Sequence, residues 1–84
     1  MKIKTLILPV LLAVSCSNET KVVASDVPPA VSAALMAKYP DANDIEWEME
    51  KKDNRVNYEA EFKSGGKKKE AEFSADGTFI KEEN

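Results

Sequence analysis

The chain has 84 residues, a net charge of −3 at pH 7, no histidine and a single cysteine. This length allows at most one small domain, and its acidic balance disfavours nucleic acid, because negative surfaces repel phosphate backbones. Without histidine, a Gly-rich phosphate loop, a zinc-ligand spacing or a nucleophile motif, we expect neither enzyme activity nor a cofactor.

Residues 1–15 have the layout of an export signal peptide. Lys2 and Lys4 form a basic start, and a short apolar run over residues 5–14 follows them. The run is about half of the roughly 20 residues that a membrane-spanning helix needs, which is typical of a signal segment. A buried core helix is the other interpretation, and Pro9 in the middle of the run disfavours it.

Cys16 is the only cysteine and follows this segment directly. The four residues AVSC that end at Cys16 resemble a bacterial lipobox, in which the cysteine is acylated and becomes the new N-terminus. Ordinary signal cleavage followed by plain secretion is the alternative, since Ala13 and Ser15 also suit it. Several acyl chains anchor a protein stably. We therefore expect a lipid-anchored protein of a bacterial cell envelope, facing the periplasm or the cell surface.

The segment after the signal is predicted to be a tether followed by one domain. Residues 16–25 show no helical or strand period and are expected to form a flexible tether behind the lipidated cysteine. Residues 26–84 form the domain. It begins with a helix over residues 27–39, for which Ser25 or Asp26 supplies the N-cap. The apolar stripe of this helix comprises Val27, Val31, Leu35 and Tyr39.

After Pro40 the apolar period changes from four residues to two, which predicts half-buried strands. Three residue pairs separate the alternating runs, and each pair suits a two-residue hairpin turn with positive φ. The chain is therefore predicted to be an α+β domain in which one N-terminal helix packs on a four-stranded antiparallel β-meander. The turn pairs are Asp53-Asn54, Gly65-Gly66 and Asp76-Gly77.

The three turns predict strand registers that agree with one another. The second turn pairs Ala60 with Ala71, and the third turn pairs Phe73 with Ile80. The apolar strand residues then share the face that the helix covers, and a shift of one residue would expose them. Lys69 is the exception on this face, and we expect it to extend its amine into water.

The same registers place six glutamates together on the opposite sheet face. Directly opposed like charges cost up to about 1 kcal/mol per pair. Three interpretations remain open: a solvated face that prevents stacking, a surface that binds a basic partner, and a weak site for a divalent cation. Phe79 is predicted to lie beside them, as an ordinary exposed aromatic or as an anchor for a partner. The six are Glu46, Glu48, Glu59, Glu61, Glu70 and Glu72.

Three segments of the chain together carry a family resemblance. They are VPPAVSAALMAKYPDANDIEWE at residues 27–48, NYEAEF at residues 57–62 and KKEAEFSADGTFIKEE at residues 68–83. These segments resemble the PepSY-like family of bacterial periplasmic and lipoprotein domains. The resemblance implies a helix on a four-stranded antiparallel sheet and exported, non-catalytic, inhibitory or binding roles. The family's fold resembles β-lactamase-inhibitor proteins, which bind through their sheet surface. Lys69 departs from the family pattern, which has an apolar residue there.

These features together predict a membrane-tethered lipoprotein with a non-catalytic binding module. Its expected partners are the membrane, through the anchor at Cys16, and a protein with a basic or mixed surface. In the sharper form of this hypothesis, the module inhibits an envelope protein or peptidase. The alternative is a weak divalent-cation-binding or structural envelope protein. The family's relatives often carry two domains in tandem, so the single copy here also suggests a homodimer.

Overall fold

The sheet has five antiparallel strands. In the computed structural model, which describes residues 18–83, the strands lie side by side in their chain order. The prediction of a four-stranded meander was therefore wrong, and the molecule is a small α+β domain dominated by its sheet. The strands are β1 at Asn18–Val22, β2 at Asn43–Lys52, β3 at Arg55–Ser64, β4 at Lys67–Ser74 and β5 at Phe79–Glu83.

The additional strand, β1, lies within the segment predicted to be a flexible tether. It pairs with the outer edge of β2, with Asn18 opposite Lys51 and Val22 opposite Trp47. Val22 packs against the core from this edge. Because Val22 is the one apolar residue in the strand, β1 has no period-two pattern that the sequence could reveal. Its partner is the backbone of β2, which is distant along the chain.

The single helix of the described residues, α1, spans Pro29–Lys38, and a short 3₁₀ helix at Ala24–Asp26 precedes it. Pro28 is the N-cap and makes no side-chain hydrogen bond, so the predicted cap from Ser25 or Asp26 was wrong. The predicted apolar stripe is confirmed, because all four of its members are buried. They are Val27, Val31, Leu35 and Tyr39.

The core lies between α1 and one face of the sheet. Phe73, Leu35 and Val31 are the largest side chains that are almost completely enclosed. Trp47 and Tyr58 lie in the same cluster and are also buried. The remaining buried strand residues are Ala60, Phe62 and Ala71.

Two of the three predicted turns are confirmed. Asp53 and Asn54 have φ of 53° and 66°, and Lys52 lies opposite Arg55 across this turn. Gly65 and Gly66 likewise have positive φ, of 62° and 78°. Two successive left-handed residues define the type I′ hairpin, whose twist matches that of the flanking strands. The predicted pairing of Ala60 with Ala71 is also observed.

The third turn differs from the prediction and changes the orientation of Phe79. The Ser74 N–H donates to the Thr78 carbonyl at 2.9 Å, and the Gly77 N–H donates to the Ser74 carbonyl at 2.9 Å. The loop therefore has three residues, with Gly77 left-handed at φ 93°, as in hairpins that carry a G1 bulge. The odd loop length places Phe79, not Ile80, opposite Phe73, and the predicted Phe73–Ile80 pair was wrong.

Lys69 lies opposite Phe62, as the registers predicted. Its amine lies 3.5 Å from Oε2 of Glu82. The Tyr39 hydroxyl donates a hydrogen bond to the same carboxylate. Burial, followed by the contact with Glu82, raises the pKa of Tyr39 to about 12. Glu82 thus forms an ion pair with Lys69 on the core face of the strands and ties β5 to the end of α1.

The predicted signal peptide at residues 1–15 and the predicted lipidation site Cys16 lie outside the described residues. Within residues 18–83, no helix is long and apolar enough to cross a membrane.

Candidate binding face

The six predicted glutamates do share one face of the sheet, the face turned away from α1, which we call the outer face. Glu61 of β3 lies opposite both Glu46 of β2 and Glu70 of β4. Glu59 likewise lies opposite both Glu48 and Glu72. Because successive strand residues point to opposite faces, the buried residues between these glutamates point to the core. The sequence thus predicted the six-glutamate arrangement correctly.

β1 and β5 enlarge this face at both edges. Glu19 of β1 lies opposite Glu50, and Lys21 lies opposite Glu48. On the other side, Glu83 lies opposite Glu70, and Lys81 lies opposite Glu72. These two pairs extend the rows of glutamates to Glu83 and Lys81 on the edge strand. Glu19 and Lys21 were missed, because their segment was assigned to the tether.

One glutamate from each strand forms a diagonal line across the outer face, which we call the acidic belt. The belt consists of two groups of three carboxylates that have Glu59 in common. Within each group, one carboxylate oxygen from each residue lies within 4.8 Å of the others. The right-handed twist of a sheet brings such diagonal neighbours together. The groups are Glu19, Glu48, Glu59 and Glu59, Glu70, Glu83.

Glu59, at the centre of the belt, has the most perturbed acidity of the face. Burial of its carboxyl group, followed by the charges of Glu70, Glu19, Glu48 and Glu72, raises the pKa of Glu59 to about 7. Both causes disfavour the ionised form. Near neutral pH this carboxyl group therefore exchanges between a neutral acid and an anion.

The glutamates next to Glu59 also have raised pKa values. Burial followed by the charge of Glu19 raises the pKa of Glu48. Burial followed by a hydrogen bond with Glu61 raises the pKa of Glu70. Burial also raises the pKa of Glu72, although Asn57 donates a hydrogen bond to it at 3.1 Å. These glutamates are half-buried by one another, so the outer face is less open to water than a flat row of charges would be.

Basic residues surround the glutamates at the margins of the outer face. Among the described residues, the belt has an ion pair with Lys81, whose amine lies 3.2 Å from Glu83 and 3.9 Å from Glu72. Lys63 instead pairs with Asp44 at 3.7 Å. The centre of the face, around Glu59, has no cation within ion-pair distance in the part of the chain that the structure describes. The margin residues that strand alternation places on this face are Lys21, Lys52, Arg55, Lys63, Lys68 and Lys81.

Phe79, predicted as a member of the binding face, lies on the other side of the sheet. Its ring packs edge-on against Phe73, with 5.8 Å between the ring centroids. The Lys38 amine of α1 lies 4.4 Å above the same ring. The prediction was wrong because the three-residue loop reverses the alternation at Phe79. This residue, 39% exposed, closes the margin of the core and is not a partner anchor on the outer face.

The outer face has properties suited to binding positive charge. Its half-buried carboxylates can accept protons, hydrogen bonds from Lys or Arg side chains, or a hard divalent cation. Glu46, at the exposed margin, belongs to neither carboxylate group.

The chain matches no known family model, no curated protein and no solved structure at a significant level. The resemblance to the PepSY-like family therefore stays a prediction from the sequence.

Proposed function

We propose that this protein is an exported, lipid-anchored binding module of the bacterial cell envelope that catalyses no reaction. Its partner is another envelope protein with a basic or mixed surface, and the contact is made by the outer face of the sheet. The observation that supports this proposal is the acidic belt, in which the other four strands each bring a glutamate toward Glu59 of β3.

A basic partner would reduce the repulsion among the carboxylates of the acidic belt. Hydrogen bonds to charged groups contribute about 1.5–3 kcal/mol each, more than neutral ones. A Lys or Arg side chain placed over Glu59 would favour its ionised form, so binding would release a proton near neutral pH. Lys21 and Lys81, which flank the belt on the edge strands, can in turn pair with acidic groups of a mixed surface.

Inhibition of an envelope peptidase is the more specific form of this proposal. It rests on the resemblance of residues 27–48, 57–62 and 68–83 to the PepSY-like family. In that case, the outer face would cover a basic surface on the peptidase.

The proposal predicts that reversing the charge of Glu59 weakens binding of the partner. Processed full-length protein, immobilised as bait, would capture partners from a native envelope extract, and mass spectrometry would identify them. For a purified partner, Glu59→Lys should weaken the affinity at least about tenfold, because it removes a charge-assisted contact and adds repulsion. Calorimetric titration gives this affinity, and raised salt should weaken it further.

Asp26→Lys provides the matched control, since it makes the same change of charge at an exposed position in the short 3₁₀ helix. Asp26→Lys should retain the partner with unchanged affinity. Equal affinities for wild type and a folded Glu59→Lys variant would reject the outer face as the binding site and favour a merely solvated face.

Divalent-cation binding is the second candidate function. The two sets of three glutamates that have Glu59 in common favour it. For a dissociation constant of about 1 mM, typical of extracellular calcium modules, 10 mM Ca²⁺ should stabilise the fold by about 1.4 kcal/mol. Thermal unfolding with CaCl₂, compared with NaCl at equal ionic strength, measures this effect.

Two variants separate a cation site from general screening of charge. Glu59→Gln should remove the calcium effect, because both groups lose their common ligand. Glu46→Gln should keep it, because Glu46 lies on the same face but in neither group. Stabilisation by Ca²⁺ that persists in Glu59→Gln would argue against a specific site.

A further inference from the structure

The start of β1 places Cys16 near one particular end of the sheet. Asn18 lies opposite Lys51, close to the turn between β2 and β3. Two residues of chain span at most about 7 Å. Cys16 can therefore lie no further than about 7 Å from Asn18, near the β2–β3 turn. Residues 18–22 form a strand where the sequence predicted part of a flexible tether.

The β2–β3 hairpin is also the part of this end that extends furthest. The last pair between β3 and β4 joins Asn57 and Ser74. β2 and β3 continue for two more pairs, ending with Lys52 opposite Arg55. At about 3.4 Å per residue, these two pairs extend the β2–β3 hairpin about 7 Å beyond the last β3–β4 pair. Because Cys16 is two residues from Asn18, it can reach the level of the hairpin tip. A lipid on Cys16 would therefore hold this tip against the bilayer surface.

The tip of this hairpin has the charge that suits an anionic bilayer. Lys51, Lys52 and Arg55 are exposed cations, and Asp53 in the turn is the one acidic residue among them. Anionic headgroups attract basic groups within a Debye length, about 8 Å at physiological ionic strength. The neighbouring β4–β5 turn carries Asp76, but its strands end two residue pairs earlier. The Asp76 carboxylate also accepts hydrogen bonds from the Thr78 N–H and the Ser74 hydroxyl.

Charge alone does not select this end of the molecule, because the β3–β4 turn at the opposite end also has basic neighbours. Lys67 and Lys68 follow Gly66 there and are exposed. The short connection from Asn18 to Cys16 is what distinguishes the two ends. It brings the β2–β3 tip to the membrane and leaves Lys67 and Lys68 at the far end of the strands.

We propose that the tip formed by Lys51, Lys52 and Arg55 docks the protein on anionic lipid headgroups. This inference rests on the lipid anchor at Cys16 that the proposed function includes. In the docked orientation the strands stand upright on the membrane. The outer face is then turned sideways, so that the acidic belt stays accessible to a partner and does not lie on the headgroups.

The rate at which the native lysines are acetylated tests this orientation without any amino-acid substitution. The full-length chain is expressed in a bacterium, purified from the membrane fraction and placed in phosphatidylcholine vesicles, with or without phosphatidylglycerol. Neither lipid carries a reactive amine. On anionic vesicles, Lys51 and Lys52 should be acetylated about fivefold more slowly than on neutral ones, and high salt should remove this protection. Lys67 and Lys68 provide the internal control and should react equally on both vesicles.

A pair of charge reversals tests the electrostatic origin of the protection. Arg55→Glu should reduce the protection of Lys51 and Lys52, and Lys68→Glu should leave it unchanged. Equal reactivity of Lys51 and Lys52 on both vesicles, or protection of Lys67 and Lys68 in their place, would overturn the proposal.

The intact mass of the purified protein tests the anchor separately. If Cys16 carries no acyl chain, the proposed lipidation fails. The free Cys16 thiol is then coupled to a maleimide lipid in the same vesicles, and the acetylation pattern decides the docking proposal by itself.

Discussion

Replacement of Phe73 by alanine should destabilise the protein by about 3–5 kcal/mol, which is the usual cost of removing a buried phenylalanine. Phe73 is completely buried, at 0% exposure, in the core between α1 and the sheet. Small domains have total stabilities of only about 5–15 kcal/mol, so Phe73→Ala should leave little folded protein under mild denaturing conditions. Urea unfolding followed by the fluorescence of Trp47, the single and buried tryptophan, measures the loss.

Phe79→Ala is the control, because Phe79 contacts Phe73 from the margin of the core. It should cost about 1 kcal/mol, the contribution of an edge-to-face aromatic pair at a part-exposed position. A cost for Phe79→Ala equal to that for Phe73→Ala would contradict the position assigned to Phe79. If Phe79 lay on the outer face, as the sequence predicted, its removal would barely change the stability.

Gly77→Ala should destabilise the protein by about 3 kcal/mol, because it combines two separate penalties. The residue has φ 93°, which disfavours any side chain. An added Cβ would also lie 2.7 Å from the carbonyl oxygen of Ala30, at the start of α1. The helix and the β4–β5 turn would have to separate to admit it. Thermal unfolding monitored by circular dichroism gives the change in stability.

Gly66→Ala separates the two penalties. Gly66 has a similar positive φ of 78°, but an added Cβ would meet no atom within 4 Å. Its substitution should therefore cost about 1 kcal/mol, the backbone strain alone. Equal costs at Gly66 and Gly77 would show that α1 does not pack on the turn as described.

The elements that the sequence predicted correctly depend on local signals. The four-residue spacing of the stripe that ends at Tyr39 indicates the helix, and the pairs Asp53-Asn54 and Gly65-Gly66 each specify their own turn. Once these turns are set, the alternation of apolar and polar residues determines which glutamates share a face.

The elements that were missed depend on distant contacts. β1 has one apolar residue, Val22, and forms by pairing with the edge of β2. Around Gly77, the sequence is compatible with a two-residue or a three-residue loop, and the packing of Gly77 against Ala30 accompanies the longer one. That difference of one residue moved Phe79 from the outer face to the core.

The sequence predicted which glutamates share the outer face better than it predicted how closely they approach one another or how acidic they are. Opposed pairs such as Glu59 and Glu72 follow from the registers. The diagonal approach of Glu19 and Glu70 to Glu59 follows from the sheet twist and from β1, neither of which the pattern reveals. The raised pKa of Glu59 could not be predicted either, because it arises first from burial by neighbouring side chains.

The pH dependence of stability, compared between wild type and Glu59→Gln, tests most directly whether the belt holds an unfavourable charge at Glu59. Because burial and neighbouring charges raise the pKa of Glu59 to about 7 in the folded state, its protonated form favours folding. This contribution is complete below the unfolded pKa, near 4.5, and is lost as the pH rises through about 7. The lowered pKa values of Asp41, Asp76 and Glu82 act in the opposite direction at lower pH and cancel in the comparison.

The measurement is thermal unfolding of both proteins between pH 4.5 and pH 8 at low salt. At pH 4.5 their stabilities should be nearly equal. At pH 8, Glu59→Gln should be more stable by about 1 kcal/mol, the cost of a like-charge pair on a sheet. A difference that does not change with pH, or a Glu59→Gln variant that is less stable at pH 8, would contradict the description of the outer face as a centre of uncompensated negative charge.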